Sequence, residues 1–217
     1  MTEEDFSSAR EAMVESQIAV SSVVQPDLLS ALRTVPREIF LPEHRAALAY
    51  SDAQHEIGPG RKLSSPVEFA RIAQLAAINT TDHVLDIACG TGYSSAVLSK
   101  IAASVVAYEF DKDLARIAVH NLSRIGVANA SVLTQEQEAL DAGPYDVMLF
   151  EGAIDNVQDT YLNRLAPGGR LVAVIGAGRT GVATVWIRQA DGVISQTHFN
   201  VMLPPILSND VQEEFVF

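Results

Sequence analysis

The stretch of sequence that decides the fold runs from His83 to Glu109 and reads HVLDIACGTGYSSAVLSKIAASVVAYE. Val84, Leu85 and Ile87 form a short apolar run typical of a buried strand, and Gly90 and Gly92 then favour a tight loop. Residues 93–101 carry apolar side chains at helical spacing, and a second apolar run leads to Glu109. The pattern predicts strand, loop, helix and strand, which is the opening unit of a nucleotide-binding sheet.

The loop in this unit indicates which kind of ligand it binds. Backbone N–H groups at such a helix N-terminus approach a ligand closely, and a carboxylate at the end of the next strand, here Glu109, binds ribose hydroxyls. The loop is shorter than a dinucleotide fingerprint, and no Lys-Ser or Lys-Thr pair follows it to hold a triphosphate. ATP and NAD are therefore disfavoured.

Composition limits the class of protein. The 217 residues are 48% hydrophobic and 19% charged, as expected for a globular chain with one core. No apolar run is long enough to span a membrane, and residues 1–5 are acidic where a secretory signal would be basic. We therefore expect a cytoplasmic protein without a membrane partner.

Metal and nucleic-acid binding are not expected. Cys89 is the single cysteine, and the five histidines lack the spacing of a metal site. Cys89 has no histidine or basic neighbour to lower its pKa, so it is interpreted as a buried packing residue rather than a nucleophile. The formal net charge of −12 opposes binding to phosphate backbones.

The chain divides into an N-terminal helical layer, residues 1–64, and a main domain, residues 65–217, that together form one structural unit. Prolines open short helical segments in the first part, and residues 51–63 have no clean periodicity and are predicted to be a loop. Ser65 and Glu68 form a capping-box pattern, so a helix is predicted to begin at Pro66.

The main domain continues the alternation of strands and helices. The fold class is therefore α/β, a Rossmann-like and mostly parallel sheet with an antiparallel C-terminal edge. Residues 176–181 satisfy the G-x-G-x-x-G spacing but precede a β-branched run, so a hairpin or crossing loop is expected there. The predicted elements are a helix from Asp111 to Ile125, strands 130–133 and 145–150, a helix 161–165, a strand 171–175, and a final pair of strands, 182–187 and 194–199.

The loop from Asp86 to Gly92 resembles the D-x-G-x-G-x-G motif of S-adenosylmethionine-dependent methyltransferases, with Ala88 in place of the first glycine. The resemblance implies that S-adenosylmethionine is the cofactor, that Asp86, Ala88, Gly90 and Gly92 shape its site, and that Glu109 holds its ribose. The chemistry agrees, because a sulfonium without phosphate favours acids around it rather than lysines.

Several further motifs resemble the protein-L-isoaspartate O-methyltransferase family. That likeness implies transfer of a methyl group to the α-carboxylate of isoaspartyl residues, which begins protein repair, with isoaspartyl-containing proteins or peptides as partners. The motifs are Met13-Val14-Glu15-Ser16-Gln17, residues 35–42, Tyr50-Ser51-Asp52, residues 58–66 where the family has G-x-G-Q-T-I-S-x-P, Pro144-Tyr145-Asp146 and residues 165–171.

Ser64 is the main catalytic candidate. An α-carboxyl has a pKa of about 3.5 and is already ionised at neutral pH, so catalysis needs positioning rather than a general base. Ser65 serves as the helix cap, which leaves the Ser64 hydroxyl and the helix N-terminus to orient a carboxylate. An alternative is that Ser64 is one more polar residue before a helix.

The chain departs from the family pattern at three places. Arg61 and Lys62 replace Gln-Thr, Gln135 lies near the position that contacts adenine, and Glu151 ends a strand where small residues are usual. Lys62 could attract a substrate carboxylate or point into solvent, and Gln135 can still hydrogen-bond adenine. Glu151 would repel an anionic acceptor, and it could instead act as a general base or be a plain strand-end carboxylate.

Two alternative functions follow from these departures. One is methyl transfer to another small-molecule acceptor, with Glu151 as the base. The other is a non-catalytic paralogue that binds S-adenosylmethionine. The oligomeric state and the role of the C-terminal segment are left open by the sequence.

Overall fold

The structure is a computed structural model that describes residues 2–176 and 180–206. Its strands are β1 His55–Gly58, β2 Arg61–Leu63, β3 His83–Ile87, β4 Ser104–Tyr108, β5 Ala130–Leu133, β6 Tyr145–Ile154, β7 Leu165–Ile175, β8 Gly181–Gln189 and β9 Gly192–Val201. Seven of them form one sheet in the order β5-β4-β3-β6-β7-β8-β9, and within the described residues β1 pairs only with β2. Strands β3 to β7 are parallel, while β8 and β9 are antiparallel to their neighbours.

The α-helices of the described residues are α1 Glu3–Met13, α2 Pro26–Thr34, α3 Pro66–Leu75, α4 Tyr93–Ser99, α5 Lys112–Arg124, α6 Glu136–Asp141 and α7 Asp159–Leu162. A π-helical turn, Val14–Ile18, extends α1, and 3₁₀ turns cover Ala19–Ser21, Arg37–Phe40 and Glu43–Leu48. Prolines at the first helical position of α2 and α3 supply a preset φ where no N–H is required.

Alternate side chains of the central strands point to opposite faces, and each face has its own core. On one face Val84 and Val147 pack with α3, α4, α5 and the N-terminal helices in one continuous cluster. On the other face Leu85 and Met148 pack with α6 and α7. Because Met13 and Ile18 belong to the first cluster, the N-terminal layer packs directly on the main domain.

The predicted fold class is confirmed by the parallel sheet with its antiparallel C-terminal edge. Three element predictions in the main domain were wrong. The strand predicted for residues 171–175 begins at Leu165, because Leu165 and Arg170 pair with β6. The predicted helix 161–165 is one short turn, because Leu165 already pairs with Tyr145 at the start of β7. The strand predicted to end at Phe150 continues to Ile154, because its last residues pair with the end of β7. Helix α6 was not predicted from the sequence.

The loop predicted for residues 51–63 contains the β1–β2 hairpin, residues 55–63, so that prediction also needs correction. Strands of four and three residues are too short to show a clear period, and Gly60 closes the turn at φ 68°. For residues 176–181, the flanking strands β7 and β8 pair antiparallel, and no helix follows. Residues 177–179 of that segment lie outside the described residues.

No helix within residues 2–176 and 180–206 combines the length and the apolar character needed to cross a bilayer.

Candidate active site

The site lies where the strand order reverses. Chain connections run from β3 towards β4 and β5 on one side and towards β6 and β7 on the other. In open parallel sheets, ligands bind at the carboxyl ends of the strands beside such a switch point. The residues at these ends are Ala88 after β3, Glu109 after β4 and Glu151 within the last part of β6.

The cofactor loop, residues 88–92, takes a conformation that favours glycine at three positions. Ala88, Gly90 and Gly92 have φ values of 61°, 59° and 93°. A side chain at Gly92 would press on α5, because an added Cβ would lie 3.2 Å from the Cβ of Ala118. Ala88 adopts the left-handed conformation without being glycine, which carries some strain.

Asp86 is fully buried beneath this loop. Its Oδ2 accepts hydrogen bonds from the hydroxyls of Ser94 and Ser95 at 2.7 and 2.5 Å, and its Oδ1 has no partner among the described residues. Burial raises the pKa of Asp86 to about 6 and the charge of Glu109 adds to this, whereas the serine hydrogen bonds lower it. An unpaired buried oxygen of this kind calls for a ligand donor or water.

Cys89 in the same loop is a buried free thiol. Burial raises its pKa well above the usual range, and the charges of Asp86 and Glu109 add to this. The prediction that Cys89 is a packing residue is confirmed, because a thiol of this kind is a poor nucleophile.

Glu109 makes a bidentate ion pair with Arg61. Arg61 Nη1 donates to Oε1 at 2.8 Å and Nη2 donates to Oε2 at 2.9 Å. The backbone N–H of Asp111 also donates to Oε1, at 3.0 Å, and that of Gly90 to Oε2, at 2.7 Å. The carboxylate expected to hold a ribose is thus bound by this chain's own donors.

Arg61 is itself held on several sides. Its Nη2 also donates to the Ala88 carbonyl at 3.0 Å, and its guanidinium lies 4.7 Å from the ring centre of Phe110. Sequence reasoning noted Arg61 only as a departure from a family pattern. Its pairing with Glu109 could not be found from sequence, since the two residues are 48 positions apart.

Ile57 of the hairpin covers the cofactor loop. A Cβ added to Gly90 would meet Ile57 Cδ1 at 2.7 Å, so the two lie in close contact. The remaining cavity, of about 10 Å³, is bordered by the hairpin, Ser64, residues 88–90 and Glu151. That volume holds roughly one water molecule.

Ser64 lies at this cavity and is 3% exposed. The prediction that Ser65 caps α3 is confirmed, since its hydroxyl accepts the Glu68 N–H at 3.3 Å and the Glu68 carboxylate accepts the Ser65 N–H at 2.9 Å. The next free N–H of the helix, that of Val67, donates to Asp52 at 3.3 Å. The helix N–H groups are therefore in use, and of the two groups predicted to orient a carboxylate only the Ser64 hydroxyl remains.

Arg37 is a buried cation that sequence reasoning missed as a site residue. Its Nε donates to the Ala49 carbonyl at 2.8 Å, its Nη2 donates to the Ser64 carbonyl, and Nη1 has no partner among the described residues. The guanidinium lies 4.6 Å from the ring centre of Tyr93. Burial lowers its pKa, and Tyr93 opposes that shift. The one available signal was its place inside the motif at residues 35–42.

Glu151 is half-buried at the irregular end of β6 and borders the same cavity as Ser64. Burial raises its pKa well above the usual value of 4.5, the charge of Asp86 adds to this, and Arg37 opposes it. A carboxyl in this setting is protonated over a wider pH range than a free one. Its repulsion of an anionic acceptor is reduced accordingly.

Lys62 and Gln135, two further site candidates, are both exposed. Lys62 is the exposed residue between two buried residues of β2, and it also borders the cavity. Gln135 precedes α6 and makes no side-chain capping bond there. Within the described residues, no three side chains of the metal-ligating types His, Cys, Asp and Glu lie together as a metal site requires.

Residues 204–206 pair with the end of β6, two residues beyond Glu151. The Ala153 N–H donates to the Pro204 carbonyl at 2.9 Å, and the Ile206 N–H donates to the Ala153 carbonyl at 3.0 Å. Gly152 permits this approach, since an added Cβ would lie 2.7 Å from Ile206 Cγ1. The role of the C-terminal segment was left open by the sequence. Its residues 204–206 pair with the end of β6, next to the site.

A family model described as protein-L-isoaspartate(D-aspartate) O-methyltransferase matches residues 8–210. The chain belongs to this family. A protein-L-isoaspartate O-methyltransferase of Methanospirillum hungatei is 38% identical over 169 residues, which is 77% of this chain and 78% of that protein. The protein-L-isoaspartate O-methyltransferase 1 of Rhodopseudomonas palustris is 32% identical over 94% of this chain and 85% of its own length.

Solved structures of isoaspartate methyltransferases share the fold. One protein-L-isoaspartate O-methyltransferase has a TM-score of 0.79 at 23% identity and covers 92% of this chain and 66% of its own. A putative member from Plasmodium falciparum, in complex with S-adenosyl-L-homocysteine, also has a TM-score of 0.79, at 18% identity over 92% of this chain and 99% of its own.

The chemistry of the site residues suits an S-adenosyl ligand. The cavity between them, however, is largely filled by side chains of the protein. Asp86 keeps a buried oxygen unpaired, and Glu151 borders the cavity together with Arg61 and Lys62. Ligand pockets are usually about 300 Å³ or more. A nucleoside therefore needs more space than this cavity offers.

Proposed function

We propose that this chain methylates the α-carboxylate of isoaspartyl residues in damaged proteins and peptides. S-adenosylmethionine, when bound, supplies the methyl group. The observation that carries the proposal is the match to the isoaspartate methyltransferase family across residues 8–210. The adjacency of Ser64 to the cofactor loop in one cavity supports it, because that hydroxyl can hold an acceptor next to a bound methyl donor.

The chemistry requires positioning and charge control. The acceptor carboxylate is ionised at neutral pH, so no residue has to remove a proton. Ser64 donates a hydrogen bond to one carboxylate oxygen and directs the other towards the methyl donor. Lys62, exposed at the rim, attracts the anionic acceptor without holding it tightly, since methylation removes the acceptor's charge.

Labelled S-adenosylmethionine and a peptide containing one isoaspartyl residue test the proposal directly. We expect a base-labile methyl ester on this peptide and none on the matched peptide with a normal aspartyl residue. Absence of the ester, under conditions in which an active isoaspartyl methyltransferase modifies the same peptide, would overturn the substrate assignment.

Ser64→Ala is expected to lower kcat/KM about 10- to 100-fold with little change in thermal stability, because it removes one hydrogen bond to a charged acceptor. Ser65→Ala is the matched control. It removes a helix cap and should cost about 1 kcal/mol of unfolding free energy while kcat/KM changes little. Initial rates give kcat/KM, and thermal melts give the change in stability. Equal losses of activity in Ser64→Ala and Ser65→Ala would count against a direct role for Ser64.

Glu151→Gln is expected to flatten the pH dependence of KM for the peptide. In the wild type, KM should rise as the pH passes the raised pKa of Glu151, because the ionised carboxylate then repels the acceptor. Initial rates between pH 5 and 9, with exposed Glu138→Gln as control, measure this. Loss of turnover at every pH would instead favour a different acceptor with Glu151 as general base.

The same variant changes the pH dependence of stability. The folded-state pKa of Glu151 lies above its unfolded value of 4.5, so the wild type and Glu151→Gln should be equally sensitive to pH below about 4. As the pH rises from there through the raised pKa, the wild type should lose stability relative to the variant. Denaturant melts at pH 4 and pH 8 provide the comparison.

A further inference from the structure

The Glu109 carboxylate has no acceptor position left for a ligand. A carboxylate offers about four lone-pair sites. In this chain they are used by the two Arg61 hydrogen bonds and by the N–H groups of Gly90 and Asp111, all at 3.0 Å or less. A ribose hydroxyl can reach Glu109 only if one of these donors leaves. The two backbone donors are fixed in the cofactor loop and at the N-terminus of α5. Arg61 is a side-chain donor, so it is the one that can leave.

The same hairpin that carries Arg61 also fills the ligand space. Ile57 lies against Gly90, and the cavity left beside it is about 10 Å³. The hairpin pairs with no strand of the main sheet. Two-stranded ribbons are only marginally stable alone, so this one depends on its side-chain contacts to stay closed. Besides Ile57 and Arg61, Leu63 packs in the main core and Gly58 lies close to Leu114, while the exposed Arg45–Glu56 pair at 3.6 Å adds little.

We propose that Arg61 is an internal competitor for the cofactor, which holds the β1–β2 hairpin closed on the nucleoside site until it is displaced from Glu109. This inference rests on the proposed function and concerns the regulation of the same site. The apparent affinity for the cofactor is then the intrinsic affinity reduced by the fraction of molecules with an open hairpin. Weakening the Arg61 contact should therefore strengthen binding, although Arg61 lies in the site.

Arg61→Gln separates this competition from simple damage to the site. Glutamine removes the charge and the two parallel hydrogen bonds of Arg61, while Glu109 keeps the N–H groups of Gly90 and Asp111 and can also accept hydrogen bonds from water. We expect S-adenosylmethionine and S-adenosylhomocysteine to bind Arg61→Gln at least about tenfold more tightly than the wild type in calorimetric titrations. The ligand-induced rise in Tm should be larger in the variant as well.

Two further variants keep the result interpretable. Arg164→Gln removes a surface arginine paired with Asp141 and should leave the affinity unchanged. Ile57→Ala reduces the cover over Gly90 without touching the ion pair, and it should tighten binding several-fold even if Arg61→Gln does not fold.

Equal, tight binding by the wild type, Arg61→Gln and Ile57→Ala would overturn the inference and leave the methyltransferase function intact. Binding by none of them would overturn the inference together with the cofactor assignment. Tighter binding by the variants, with no methyl transfer to an isoaspartyl peptide by any of them, would support the competition and count against the substrate alone.

Discussion

Glu109→Gln is expected to lower the free energy of unfolding by about 3–5 kcal/mol, the usual cost of removing one partner from a buried ion pair. Glu109 is completely buried and Arg61 is 7% exposed. In any orientation, the glutamine amide would turn its NH₂ group towards Arg61 and towards one of the backbone N–H groups that now donate to Glu109. Arg61 cannot lose its proton, so it would remain as a buried charge without a counter-ion.

The same substitution should abolish cofactor binding, because we propose that this carboxylate accepts the ribose hydroxyls. Glu109→Gln and Arg61→Gln are therefore expected to have opposite effects on affinity, although each removes one partner of the same pair. Thermal melts and calorimetry on both variants measure this. The exposed substitution Asp141→Asn serves as the control and should change stability by less than about 1 kcal/mol. Retained affinity in Glu109→Gln would remove Glu109 from the cofactor site.

Arg37→Met is expected to cost about 3 kcal/mol of unfolding free energy. The Arg37 guanidinium is completely buried and donates to the carbonyls of Ala49 and Ser64, which would both lose that donor. For a chain of this length, 3 kcal/mol corresponds to a fall in Tm of about 6–12 °C. Differential scanning calorimetry gives this value directly.

Activity should fall further than stability alone explains, because Arg37 holds the backbone of Ser64 in place. Measured at a temperature where the variant remains folded, kcat should drop while the affinity for S-adenosylmethionine changes little. Arg33→Met, which removes an arginine from an exposed pair with Glu11, is the matched control and should leave kcat unchanged. An unchanged kcat in Arg37→Met would restrict Arg37 to a purely structural role.

Much of the fold could be predicted because its signals are local. The apolar run before Asp86, the glycines of the cofactor loop and the Ser65 cap each act within a few residues, and the structure has the expected element at each position. The errors arose where distant pairing overrides local preference. Leu165 lies in a strand because it meets Tyr145, and the residues after Phe150 stay extended because β7 and the segment at Pro204 pair with them.

The site residues likewise divide into those that local sequence predicts and those that depend on distant contacts. Spacing along the chain was enough to place Asp86, Gly90 and Glu109 at the ends of neighbouring strands, since parallel strands bring their carboxyl ends to one edge. It was also enough to separate the cap Ser65 from Ser64. The role of Arg37 could not be predicted from the sequence, because its contacts with Ala49 and Ser64 depend on how the N-terminal layer packs.

The amino-acid sequence by itself determined the parallel α/β sheet and the loop after β3, because those depend on residue type and on short spacings, and its resemblance to a known family indicated the ligand. Only the tertiary structure decided what Glu109 binds. Arg61 reaches it across 48 positions of the chain, through a hairpin too short to leave a periodic signal. Because a carboxylate can accept only a limited number of hydrogen bonds, that long-range contact determines whether the nucleoside site is open or closed.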